Sequence, residues 1–503
     1  MIPSLETYRE IAQLNEWALI LPEIVLAVIA LTLLVAELLL KKSRHPFISL
    51  FAILGQVAVL ALVLANFWFP PQLDVSLSLF SGMISHTANG QMMRIFFLLA
   101  SILVSLLANS YLEQRKLPKV EFFAILLLVT ASFMLLVQST HFVMLFICLE
   151  TVTVGFYVLV SYFRSQNTSL EGGLKYLIQG ALSSSLLLFG IVLLYGAGSN
   201  PGLVGNVAEP MQFDHLATFI SANPSHPLVL IGALLIISGL CFKMGVVPFQ
   251  IWVPDVYQGA PMPVTAFLAV ASKAGGFFLL MNLIKGPFAA LDAFLIPLLS
   301  VLAALSILYG NLAALGQYSP KRLIGLSGIS HAGYLLMGVT AALTIPSAYS
   351  AINFYLFVYL FGSFLVFAVM QKASPDHDAL HDMRDYANLY KQQPLLGMAL
   401  AIGLGSLAGI PPLAGFLAKL LLFIAAFQAG LYTLLGVAIF GVVVSIYYYF
   451  GWLRTALFRP FVAPETAHTI PALTRGQLVF LIVLMTVTVL LGVYPGSIGG
   501  LLF

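Results

Sequence analysis

Stretches of about twenty apolar residues recur from one end of this chain to the other, and that recurrence restricts the fold more than any other feature. Wound as helix at about 1.5 Å per residue, such a stretch is long enough to cross the roughly 30 Å hydrocarbon core of a bilayer. They fall near 19–40, 47–69, 91–110, 120–137, 139–162, 172–198, 228–251, 261–285, 291–314, 318–342, 347–371, 394–428, 431–453 and 476–497, about fourteen in all. The runs are continuous rather than alternating, which predicts helices and not the strands of a barrel. Of the 503 residues 60% are hydrophobic and only 8% charged, too few polar groups to cover a water-exposed surface. The expected fold class is an all-α membrane protein with about fourteen transmembrane helices, and its solvent is the lipid bilayer.

Basic residues in the connections test that list of spans, because cytoplasmic loops are enriched in Lys and Arg. Connections after odd-numbered spans hold fifteen, among them Lys41, Lys42, Arg44, Arg115, Arg164, Lys321, Arg322, Lys372, Arg384, Arg454 and Arg459. The other side holds two, Arg9 and Lys285. This predicts both termini on the non-cytoplasmic side, and it makes the net charge of +3 a matter of topology rather than of nucleic-acid binding. The N-terminal MIPSLETYREIAQLNEW carries three glutamates and one arginine, unlike the basic start of a secretory signal, so no cleaved targeting peptide is expected.

Five basic residues remain inside or at the edge of spans: Arg94, Lys175, Lys243, Lys273 and Lys419. Arg94 stands at a helix start, where it can snorkel. An ammonium at mid-membrane costs on the order of 2.5–3.5 kcal/mol on insertion scales, so such groups are expected to line a protein-enclosed or hydrated path. Two spans are also interrupted at corresponding places. The seventh reads GLCFKMGVVPFQIWVPDVYQGAP around Pro248, and the twelfth reads LGSLAGIPPLAGFLAKLLLF around Pro411 and Pro412. Helices broken at matching positions mark internal repeats and put helix ends at mid-membrane, where ions are handled. If spans 4–8 and 9–13 are the repeats, each has an odd number of helices, and the two must be inverted in topology. The expected segments are 1–114, a three-helix start; 115–286, the first five-helix repeat; 287–460, the second, inverted five-helix repeat; and 461–503, a last helix.

Glu150 lies deep in the fifth span, roughly 17 Å from either surface at 1.5 Å per residue. Lys243 is at similar depth and is a candidate partner, lysine being the basic side chain whose proton affinity moves readily on desolvation. Such a pair can load and release a proton; the alternative is a static ion pair that fixes helix packing. Lys273, among small residues in TAFLAVASKAGGFFLLM, suits a relay. His331, in GLSGISHAGYLLMG, suits proton transfer near neutrality, or is a neutral histidine hydrogen-bonded to a neighbouring helix. Lys419 follows Pro412, and Lys175 stands only a few residues into the sixth span, where snorkelling is the rival reading.

His377, Asp378, His381 and Asp382 in KASPDHDALHDMRDYANLYKQQ resemble a metal-ligand set, but a solvated mixed-charge connector accounts for them more simply. Cys148 and Cys241 sit in apolar runs as small hydrophobes, with no disulfide framework or CxxC site. No GxGxxG, P-loop or HExxH motif is present. Neither metal, nucleotide nor iron–sulfur binding is therefore expected of this chain.

The stretch FKMGVVPFQIWVPDVYQGAPMPVTAFLAVASKAGGF, with LEGGLKYLIQGALSSSLLLFG, RLIGLSGISHAGYLLMG and AGIPPLAGFLAKL, resembles the antiporter-like membrane subunits of proton-pumping NADH:quinone oxidoreductase, respiratory complex I. The likeness covers essentially the whole chain, and the PDVYQGAPMPV run is closer to the subunit N group than to subunits L and M or to multisubunit sodium/proton antiporters. The resemblance implies that Glu150 and Lys243 form the acid–lysine pair of a cytoplasmic half-channel and that Lys273 is the central relay. It further implies that Lys419 releases the proton toward the periplasm, with Lys175 and His331 auxiliary. It implies a bacterial inner-membrane location, partnership with the other membrane subunits of the complex, and FMN, iron–sulfur clusters and quinone held in those other subunits. An Mrp-type cation/proton antiporter subunit, or a membrane subunit of a related hydrogenase or ferredoxin-linked complex, is the alternative.

Overall fold

A computed structural model describes residues 15–39, 45–68, 80–374, 381–387, 389–458, 470 and 472–495. Arg9, Lys41, Lys42, Arg44, Arg459, His377 and Asp378 lie outside these residues, so the expectations placed on them are not addressed by the structure. All fourteen apolar stretches carry helix. Among the described residues twelve helices are long and apolar enough to cross a membrane. The fourth stretch is the shorter Val120–Leu136, and the twelfth is the pair Pro394–Ala408 and Ala414–Gln428. Among the described residues there is no strand, and extended pairing is limited to two isolated bridges, Ile84 with Ser139 and His141 with Gln212.

The chain divides into two compact units. The first comprises Met1–Leu159, Ala181–Gly239 and Phe278–Leu291, and the second Val160–Gly180, Leu240–Phe277 and Asp292–Phe503. In the first unit the two bridges bring together the connections that precede the third, fifth and seventh spans. In the second unit Asp255 accepts from Lys175 Nζ at 2.8 Å and from Arg322 Nη1 at 3.1 Å, joining the connections that follow the fifth, seventh and ninth spans. Each set belongs to one parity, as an unbroken series of crossings requires.

Arg94 corrects the sequence reading. Its helix, Ala88–Gln114, begins six residues earlier, with Thr87 capping it by accepting from Gly90 N at 3.1 Å. Arg94 therefore sits well inside its helix, and its side chain is 0% exposed. It pairs with Glu23 at 2.6 Å and donates to Leu19 O at 3.0 Å and Gln91 Oε1 at 2.7 Å. Gln138 Nε2 supplies a further donor to Glu23 at 3.0 Å. A guanidinium enclosed by apolar helices needs its charge paired, which Glu23 does, while among the described residues Arg94 Nε is left without an acceptor.

In the second unit, helices Pro320–Ala342 and Ala348–Ala373 are buried along almost their whole apolar lengths, as is Met262–Lys285, which the division between the units cuts at Phe277. Close approach comes from small residues: a Cβ on Gly310 would meet Ser330 N at 2.5 Å, and one on Gly333 would meet Ile307 N at 2.8 Å. Helices enclosed by protein can carry polar groups that lipid-facing helices cannot.

Both proline breaks are built the same way. Helix Pro227–Met244 ends where Gly245, at φ +70°, takes the left-handed conformation. Val246 N then donates to Cys241 O at 2.9 Å and Gly245 N to Phe242 O at 3.1 Å. Helix Pro394–Ala408 ends on Gly409 at φ +85°, with Ile410 N donating to Gly405 O and Gly409 N to Ser406 O, both at 3.0 Å. These are two Schellman caps, each stopped from continuing as helix by the prolines just beyond, Pro248 and Pro411–Pro412. Past the breaks the chain resumes as Trp252–Gly259 and Ala414–Gln428.

Candidate functional site

Lys243 occupies the last turn of Pro227–Met244, immediately before the first break, and is 5% exposed. Its Nζ lies 5.5 Å from the centre of the Phe242 ring. Across the break Trp252 Nε1 donates to Phe242 O at 3.0 Å, and Val247 N donates to Ser306 Oγ at 3.0 Å, so exposed backbone is satisfied by side chains of the surrounding protein. Gly276 faces the same turn: a Cβ there would stand 2.6 Å from Met244 Cγ, so the eighth span packs directly against the lysine-bearing turn.

Lys273, 4% exposed, follows a π-helical turn, Leu268–Ser272. A turn of that kind inserts an extra residue and re-aims the side chains after it. Lys273 Nζ donates to the carbonyl of Gly328 and lies 5.1 Å from the centre of the Tyr359 ring. Lys243 and Lys273 line one small cavity, with room for about one water molecule, together with Tyr257, Gly325 and Gly328.

Lys419, 4% exposed, sits in the helix after the second break and turns back toward it. Its Nζ donates to Leu407 O at 3.0 Å and Ala408 O at 2.8 Å. These are the final carbonyls of Pro394–Ala408, groups without an intrahelical partner at the negative end of the helix dipole, so a cation is favoured there. Gly409 makes the approach possible, since a Cβ on it would lie 2.9 Å from Lys419 Cδ. Lys419 shares a second cavity, also with room for about one water molecule, with His331, Tyr355, Tyr359 and Ser406.

His331 is held on both ring nitrogens, Nδ1 2.6 Å from Tyr355 Oη and Nε2 3.4 Å from Tyr449 Oη. Glu150 is half-buried in Phe142–Val160, where Ser184 Oγ donates to its Oε1 at 2.5 Å. Lys175 is 40% exposed and pairs with Glu171 at 2.6 Å and Asp255 at 2.8 Å. Asp382 caps the short turn Met383–Tyr386, accepting from Arg384 N at 2.8 Å.

Sequence reasoning missed the tyrosines. Tyr355 and Tyr359 come from one helix, Ala348–Ala373, at the spacing that puts residues i and i+4 on one face. Tyr448 and Tyr449 come from Tyr432–Leu457, and Tyr448 Oη donates to Asn311 Oδ1 at 3.1 Å. The available signal was tyrosine recurring inside otherwise apolar spans, where a buried hydroxyl requires a polar partner.

Residues 139–445 match the family model described as NADH:quinone oxidoreductase/Mrp antiporter, TM. A protein of Opitutus terrae named NADH-quinone oxidoreductase subunit N 1 is 52% identical over 502 residues, 99% of each chain. A chain of respiratory complex I from Thermus thermophilus superimposes with a TM-score of 0.78 at 28% identity, over 95% of this chain and 99% of that one. A chain of the Mrp complex from Dietzia sp. superimposes with a TM-score of 0.79 at 21% identity, over 96% and 95%, a likeness of fold alone. With the family model covering more than half of the sequence and subunit N likeness running end to end, the chain belongs to the NADH:quinone oxidoreductase/Mrp antiporter transmembrane family, in its subunit N group.

Proposed function

We infer that this chain is the proton-translocating subunit N of an inner-membrane NADH:quinone oxidoreductase, and that protons move through Glu150, Lys243, Lys273 and Lys419. The observation that carries the site assignment is the placing of three nearly fully buried lysines in two cavities, Lys243 with Lys273 and His331 with Lys419. Amines enclosed in protein at such depth are expected on ion pathways, and each has an N–H acceptor or an aromatic face beside it. Glu150 is the loading acid, and Ser184 holds one of its carboxylate oxygens by a hydrogen bond. Lys243 and Lys273 pass charge across the first cavity, and Lys419 is the discharge group of the second. Lys175 acts at the edge through Asp255 and Arg322 rather than in the path.

NADH oxidation and quinone reduction are assigned to other subunits, which hold FMN, iron–sulfur clusters and quinone, and this chain's partners are the other membrane subunits of the complex. Residues 115–286 and 287–460 are read as the two inverted repeats, which the shared construction of their breaks supports. Both termini are assigned to the periplasmic side on the distribution of Lys and Arg. The Mrp-type antiporter reading rests on fold likeness at 21% identity, whereas subunit N likeness reaches 52%.

The test is Lys243→Ala in membranes assayed for complex content, quinone reduction and NADH-driven proton uptake. Retained complex with collapse of both activities is expected. Wild-type rates would remove Lys243 from the path, and loss of assembly with normal pumping by the remaining complex would make it a packing residue.

A further inference from the structure

Between the two cavities stands one side chain whose role nothing above assigns. Tyr359 lines the cavity of His331 and Lys419 and also faces Lys273, whose Nζ lies 5.1 Å from its ring centre. The hydroxyl is on the lysine's side: a methyl built on Gly328 would lie 3.0 Å from Lys273 Nζ and 3.5 Å from Tyr359 Oη. Both polar atoms thus border the same small gap, which exists because residue 328 has no side chain. On the other side the Tyr359 ring centre is 5.0 Å from that of His331, and Tyr355 on the same helix holds His331 Nδ1 at 2.6 Å.

We propose that the Tyr359 hydroxyl is the proton relay between Lys273 and the His331–Lys419 cavity, a role that rests on the proton-translocating reading above. A phenol has one O–H to give and lone pairs to receive with, so it passes a proton without changing its own charge. In the step, an N–H bond of the Lys273 ammonium breaks as a water in the gap beside Gly328 takes that proton and passes one of its own on, and an O–H bond forms at Tyr359. The original phenolic proton leaves toward water or the His331 ring, and an N–H bond forms at a neutral Lys419 amine. Lys273 ends neutral, Lys419 ends as ammonium, and Tyr359 and His331 are unchanged.

The experiment uses whole complex in sealed membrane vesicles carrying Tyr359→Phe or Gly328→Ala, with NADH oxidation and proton uptake measured in H2O and D2O. Phe keeps the ring and its packing, so complex content is expected to stay at the wild-type level. Positioned proton-transfer groups contribute typically 10²–10⁴-fold, and with water as a partial substitute a fall of about tenfold in both rates is expected. The solvent isotope effect on turnover should rise above wild type, because proton transfer becomes the slow step. Gly328→Ala, which keeps the hydroxyl and fills the gap, should act in the same direction. Wild-type rates in either variant overturn the relay, as does a slowed Tyr359→Phe with an unchanged isotope effect, the mark of a packing role. Wild-type vesicles that oxidise NADH with no proton uptake would instead sink the translocation reading itself, and the relay with it.

Discussion

Replacing Glu23 with alanine strands the Arg94 guanidinium in the first unit, and the size of the effect follows from what remains around it. Both side chains are nearly inaccessible, at 3% and 0% exposed, and their contact is 2.6 Å. Removing one member of a buried pair costs typically about 3–5 kcal/mol, mostly as the penalty of an uncompensated charge. Leu19 O and Gln91 Oε1 continue to accept from Arg94, which places the loss near the lower end, about 3 kcal/mol, or roughly a hundredfold in an equilibrium constant. Gln138 also loses the carboxylate it donates to. Replacing both charged residues with methionine removes the stranded charge and should recover most of that loss, since apolar substitutes for buried pairs are often neutral or better. The assay is the amount of assembled complex in membranes and its rate of loss on heating, for Glu23→Ala, Arg94→Met and Glu23→Met/Arg94→Met. Glu23→Ala complex that accumulates and survives heating as wild type does, or a double variant no better than the single ones, refutes the reasoning. Protons pumped per NADH in whatever complex survives should be unchanged, which separates this pair from the lysines of the proposed path.

Lys419→Gln keeps an N–H donor for the Leu407 and Ala408 carbonyls but carries no proton, so complex content should hold while proton uptake falls about tenfold or more. Lys419→Ala leaves both carbonyls without that donor, at about 1–3 kcal/mol each, and should lower complex content as well. Gly409→Ala forces a methyl-bearing residue to φ +85°, a cost of about 1–2 kcal/mol, which faster loss of complex on heating would report. Asp255→Asn breaks pairs whose members are 34–40% exposed; the loss should be under about 1 kcal/mol. It should also shrink as salt is raised, so an effect equally large at high salt would contradict it.

The spans were legible because a helix in lipid must satisfy its backbone internally and present some twenty apolar residues in a row. The breaks were legible because glycine and proline say locally where a helix stops. Lys243, Lys273 and Lys419 stood out because a charge in an apolar run is costly and needs a reason. What the sequence does not display is the partner of each group. Glu23 lies 71 residues before Arg94 and Asp255 lies 80 after Lys175, and nothing in local periodicity links them. Arg94 was misread because its partner, Glu23, stands on another helix, and nothing in its own span shows that the charge is met inside the protein. The tyrosines were passed over because an aromatic ring in an apolar helix reads as packing, and only the tertiary structure brings the Tyr355 and Tyr449 hydroxyls to His331.

An ammonium has three N–H bonds, and the end of helix Pro394–Ala408 occupies two of those of Lys419. The third is left for the cavity that Lys419 shares with His331 and Tyr359. A neutral amine still has two N–H bonds, enough to keep both carbonyls satisfied, and the lone pair it exposes takes the direction that the third hydrogen had. Loss and gain of a proton at Lys419 therefore require no change of rotamer and strand no backbone group. Stereochemistry makes this nitrogen a fixed terminal rather than a swinging arm, with one exchangeable hydrogen aimed in one direction.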